Sequence, residues 1–139
     1  MSRVVYISPI SSRSGYGDCS RDFARFLISK YKNEISFLST RWGECQLSEL
    51  NNSDPLNDKI RSQIINKLEN KPEICYQTLM PHEIQDIGDA NICVTAGYEY
   101  LGWSDEALKK CESINKVIVH SKFTRSCILD KKYNNYHVD

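Results

Sequence analysis

The chain has 139 residues, 40% of them hydrophobic, with 18 Lys plus Arg balancing 18 Asp plus Glu. That is one domain's length, too apolar for a disordered chain and too neutral for a chain-wide binder of nucleic acid. No apolar run reaches the ~18 residues of a spanning helix, and the opening MSRVVYISPISS lacks the apolar length and cleavage site of a signal peptide.

Val4–Ile7 is apolar on both faces and reads as a buried strand. A polar loop with two glycines follows, SPISSRSGYGD. Cys19, Phe23, Phe26, Leu27 and Tyr31 then recur at helical spacing, with Arg21, Arg25 and Lys30 on other faces. Ile35–Ser39 is a second strand, running into Thr40-Arg41-Trp42-Gly43. Residues 44–57 are polar and irregular. Leu56, Ile60, Ile64, Ile65 and Leu68 predict a second amphipathic helix, stopped at Pro72. Glu73–Leu79 and Asn91–Thr95 read as strands. Trp103, Ala107, Leu108 and Cys111 mark a third helix with Ser104 as its N-cap. Lys116–Val119 reads as a last buried strand, and Phe123, Cys127 and Ile128 begin a final helix. Strands alternating with helices predict an α/β fold: a single Rossmann-like domain, its sheet mostly parallel with helices on both faces.

Six cysteines stand at 19, 45, 75, 93, 111 and 127, none at C-x-x-C spacing. Apolar surroundings such as EICYQ and NICVT suit structural thiols in a reducing, cytoplasmic compartment. Acids predominate over 69–106 and bases over 109–139, as solvated helix faces explain. His82-Glu83 has no further ligand type near enough for a metal set.

Ligands of open parallel sheets bind beyond the carboxyl ends of the strands. Four segments are expected there. Ser14-Gly15-Tyr16-Gly17 leads into a helix start that favours phosphate. It falls short of a dinucleotide fingerprint, because Ser20 replaces the third glycine and Arg41 stands where an acid would hold a ribose. An arginine suits a 2′-phosphate, so an NADP-type oxidoreductase is one alternative. Arg41-Trp42 adds a cation and a ring. Gly97-Tyr98-Glu99 sets a carboxylate beside aromatic rings, suited to sugar hydroxyls and sugar faces. His120-Ser121 closes the set, with Ser121 also a plain N-cap. Each segment also has a structural reading, as a tight turn, a packed ring or a cap.

The ordered series VVYISPISSRSGYGDCSRDFARFLI, LSTRWGE and CYQTLMPHEIQDIGDANICVTAGYEYLGWSDEALKKCESINKVIVHSKFTRSCI resembles the N-terminal half of family 4-type glycosyltransferases with the GT-B fold. His82, Tyr98 and His120 depart from that pattern, which has Asn, an aliphatic residue and Pro there. The resemblance implies transfer of a sugar from a nucleotide-diphosphate donor to a sugar or other hydroxyl acceptor, with retention. It implies a diphosphate-side loop at Ser14, Gly15, Tyr16 and Gly17. The acceptor side comprises Arg41, Trp42, Gly97, Tyr98, Glu99 and Ser121, with Glu99 and His120 as candidate catalytic groups. No cofactor or metal is expected, because loop amides and basic side chains can meet the diphosphate. The family's second domain carries a Glu-x7-Glu pair, and no two glutamates here have that spacing. Residues 1–139 are therefore expected to form the acceptor-side domain of a fragment, inactive without a donor-binding partner domain. A non-catalytic Rossmann-type binding module is the other alternative.

Overall fold

The structure, a computed structural model, describes residues 3–130. The last nine residues of the expected domain, 131–139, lie outside the described residues. Six strands form one sheet: β1 (Val4–Ser8), β2 (Ile35–Ser39), β3 (Ile64–Ile65), β4 (Ile74–Thr78), β5 (Ala90–Thr95) and β6 (Lys116–Val119). Every pairing is parallel, in the order β3-β2-β1-β4-β5-β6. All five residues of β1 are buried, as a central strand covered on both faces requires.

Four helices cover the sheet: α1 (Gly15–Tyr31), α2 (Pro55–Ser62), α3 (Asp105–Glu112) and α4 (Lys122–Leu129). The chain runs outward from β1 to β3 in one direction and from β4 to β6 in the other. Right-handed crossovers then put the two sets of connections on opposite faces. Packing agrees. Val4, Tyr6 and Phe37 meet Ala24 and Leu27 of α1 and Ile60 of α2. Cys93 and Val117, on the opposite face, meet Trp103, Cys111 and Cys127. Val5, Ile7, Cys75 and Leu79 form a third cluster.

Three expectations need correction. The second helix does not continue through Ile64, Ile65 and Leu68. It stops at Ser62, and Ile64–Ile65 becomes an edge strand beside Phe37 and Leu38. The tertiary reason is direct: Ile60 and Ile64 pack on the α1 face, whereas Leu68 packs beside Val5 and Ile7 on the other. One straight helix on one face cannot reach both. Arg21, set apart from the apolar face of α1 by its spacing, is itself buried, at 6% exposure. Lys116–Val119 is not a buried strand: β6 closes the edge of the sheet, and Lys116 and Ile118 are exposed.

The six cysteines are free thiols, with Cys75, Cys93, Cys111 and Cys127 buried. Burial pushes the Cys75 and Cys93 thiols up to about 12, so both stay protonated at neutral pH. Among the described residues no helix is long and apolar enough to cross a membrane.

Candidate functional site at the carboxyl edge

The strand order reverses between β1 and β4, which opens a crevice at their carboxyl ends. Because all six strands are parallel, the segments Ser12–Asp18, Thr40–Gly43, Ala96–Glu99 and His120–Phe123 share that edge of the sheet.

The first segment is a helix start rather than a free loop, since α1 begins at Gly15. Ser14 is its N-cap, and its hydroxyl accepts from the Gly17 amide at 3.0 Å. Ser12 donates to the Pro9 carbonyl at 2.8 Å and shares a 2.7 Å hydrogen bond with Ser14. Buried Arg21 reaches back from α1. Its Nη1 donates to the carbonyls of Ile10 and Ser12, both at 2.9 Å, and its Nη2 bonds Asp18. A single guanidinium thus satisfies two buried carbonyls of a turn that no strand could pair.

The two glycines differ. A Cβ on Gly17 would stand 2.1 Å from the Ser12 carbonyl oxygen, so the residue is required by close approach. A Cβ on Gly15 would meet nothing within 4 Å. The Gly17 amide is also occupied by Ser14. Helix geometry leaves the amides of residues 14 to 17 without an intrahelical acceptor, and the Ser14 side chain takes that of Gly17.

Tyr16 links three loops. Its ring stacks on Trp42 at 4.1 Å between centroids and 18° between planes. Its hydroxyl accepts from the Ala96 amide at 3.1 Å. Behind it lies a cavity of about 330 Å³, lined by Gly15, Tyr16, Cys19, Thr78, Val94, Ala96 and His120. A hollow of about 500 Å³ against Val5, Ser36 and residues 64–70 holds none of the candidate residues.

The β5–α3 turn is built differently. Gly97 has φ +73°, and a Cβ there would stand 2.6 Å from Thr124 and 2.7 Å from the Trp103 ring. Tyr98 pairs with His82: its hydroxyl lies 2.6 Å from Nδ1 and accepts from the His82 amide at 3.2 Å. The two rings stack, Tyr100 stacks on Tyr98, and the Trp103 edge packs against Tyr98 at 5.0 Å. Partial burial raises the Tyr98 phenol's pKa. Lys110 Nζ donates to the His82 carbonyl at 2.6 Å. Ser121 caps α4 by accepting from the Thr124 amide, and Thr124 donates to the Ala96 carbonyl at 2.9 Å.

The structure therefore gathers Gly15, Tyr16, Trp42 and His120 around or beside the cavity. It engages Gly17 and Ser121 in caps and Tyr98 in the His82 contact. Arg41 and Glu99 are exposed. Sequence reasoning missed Arg21 as the anchor of the first turn and His82 as the partner of Tyr98. Asp18 to Arg21 spacing on one helix was a legible hint to the first; the second joins residues 16 apart and has no local signal. Among the described residues no group of three His, Cys, Asp or Glu could hold a metal ion.

Set against protein-family models, curated proteins and solved structures, the chain matches none.

Proposed function

We propose that the chain is the acceptor-side domain of a GT-B-type glycosyltransferase. In this reading it forms one wall of a cleft in which a sugar passes from a nucleotide diphosphate to a hydroxyl. The observation that carries the reading is Tyr16, which ties the Ser14-capped start of α1, the Trp42 loop and the Ala96–Gly97 turn together at the switch-point crevice. Rings beside polar groups at a strand edge suit a sugar, which has one apolar face and a rim of hydroxyls. The amides of Gly15 and Tyr16 face charge on the departing diphosphate. Trp42, Tyr98 and Glu99 orient the acceptor. A donor-binding domain supplies the other nucleotide-sugar contacts, and no metal or cofactor enters the scheme.

The test is a titration of the isotopically labelled chain with methyl glycosides, read on backbone amides. Shifts at Tyr16, Trp42 and Gly97–Glu99 are expected, with no turnover of any nucleotide sugar by the chain alone, because the reacting groups must be held from both walls. Shifts confined to the opposite edge, or turnover by the isolated chain, would overturn the reading.

The engagement of Gly17, Tyr98 and Ser121 in internal hydrogen bonds supports a second reading, a non-catalytic Rossmann-type binding module. The two readings separate when a donor-binding domain is supplied: transfer appears in the first and not in the second.

A further inference from the structure

The cavity behind Tyr16 has a chemistry of its own. Its volume of about 330 Å³ lies at the small end of ligand pockets. Val94 and Ala96 contribute aliphatic walls, Gly15 contributes backbone, and Tyr16 contributes its ring. Cys19 contributes a thiol whose pKa burial raises, so it stays neutral near pH 7. Thr78 is a wall residue whose hydroxyl already shares a 2.6 Å hydrogen bond with Tyr6. The Tyr16 hydroxyl accepts from the Ala96 amide and keeps its own proton to donate. The exposed His120 adds an imidazole to the lining. Among the described residues no Lys, Arg, Asp or Glu lines the cavity.

Apart from the Gly15 backbone and His120 at its rim, such a wall favours an apolar body over an ion. A charged group placed against Val94 and Ala96 would lose hydration, whereas an uncharged ring or branched alkyl group loses only contact with water. The Tyr16–Trp42 stack stands beside the same space, so an aromatic guest would enter next to an existing pair of rings.

We infer that this cavity binds an uncharged, ring-sized apolar group, and that the acceptor is an apolar alcohol or a glycoside with such a group attached, rather than a free sugar. The second half of that statement rests on the glycosyltransferase reading above; the first half does not. The acceptor hydroxyl then lies at the mouth of the cavity, outside the apolar walls. Val94 and Ala96 set the size of the group accepted.

The experiment uses the 139-residue chain and four probes: phenol, phenyl β-glucoside, methyl β-glucoside and glucose. Binding is followed by amide shifts and by fluorescence of Trp42 in a Trp103→Phe background, where Trp42 is the single remaining tryptophan. Phenol is expected to shift the amides of Tyr16, Cys19, Val94 and Ala96. The phenyl glucoside is expected to bind at least about tenfold tighter than the methyl glucoside, the scale of apolar discrimination by a pocket. Val94→Trp fills the space and should abolish phenol binding and equalise the two glucosides. Val94→Ala enlarges the space and should keep phenol binding, which controls for a filled variant that fails to fold. Absence of phenol binding at these amides, or phenol binding unchanged in a folded Val94→Trp protein, overturns the cavity assignment. Phenol binding at the cavity with a phenyl glucoside no tighter than phenol itself leaves the cavity standing and sinks the acceptor assignment.

Discussion

The two turns that frame the candidate site, β1–α1 and β5–α3, both press a glycine against a neighbour, yet for different physical reasons. Gly17 sits in ordinary helical backbone, and what excludes a side chain is the Ser12 carbonyl at 2.1 Å from the Cβ position. Gly97 adopts φ +73° and faces two side chains, Thr124 and Trp103. The first turn is fastened by a buried cation, Arg21, bonding two carbonyls. The second is fastened without a buried cation, through Thr124, Tyr98 and His82, with the exposed Lys110 on the His82 carbonyl. The difference teaches that two similar-looking glycines report one crowded backbone and one left-handed backbone, and neither needs a ligand to explain it. Gly15 is the glycine of the first turn whose Cβ position is open.

Substitutions that break each turn in its own way should rank accordingly. Arg21→Ala has the largest expected effect, a loss of about 4 kcal/mol in denaturant unfolding, because it strands two buried carbonyls and leaves a void. A loss under about 1 kcal/mol would show that the first turn is held by its serines. Gly97→Ala should follow at about 3 kcal/mol, combining left-handed strain with overpacking against an indole. Gly17→Ala should cost about 2 kcal/mol, the overpacking alone. Equal losses for the two glycine variants would erase the distinction between the turns.

Alkaline pH separates the layers beneath the two turns. Cys93 lies under α3 and Tyr6 under α1; burial pushes the first from 9.0 up to about 12 and the second from 10.0 up to about 12. Above the unfolded value the folded state holds a proton that the unfolded state releases, so stability falls as pH rises. The decline should begin near pH 9, steepen above pH 10 as Tyr6 joins, and continue toward pH 12. Replacing Cys75 and Cys93 with Ala should flatten the segment between pH 9 and 10 relative to the parent, because their unfolded values lie at 9.0. Thermal melting across that range reads the change in slope.

The smallest effect sharpens the comparison from the other side. Gly15→Ala should stabilise the chain by about 0.5 kcal/mol, since Ala is favoured over Gly in a helix and nothing crowds the new methyl. A loss instead would mean that the start of α1 needs glycine for reasons other than a ligand.

Much of the architecture was written locally. The apolar runs of β1, β2, β5 and β6, the helical spacing of α1, and the caps at Ser104 and Ser121 are all decided by neighbours within a few residues. Alternation of strands and helices then implied a parallel sheet, and a parallel sheet alone brings the four loop segments to one edge. What followed from folding was every relation between distant residues. The i, i+4 pattern of Ile60, Ile64 and Leu68 is helical by spacing, but the sheet separates its members onto two faces. Arg21 reads as a surface cation until the β1–α1 turn folds over it. Tyr16 reads as one ring in a loop until Trp42 and Ala96 arrive from 26 and 80 residues away. Periodicity records which face a residue prefers; it carries no information about which distant carbonyl, ring or amide will occupy that face, because those partners are selected by packing of the whole sheet.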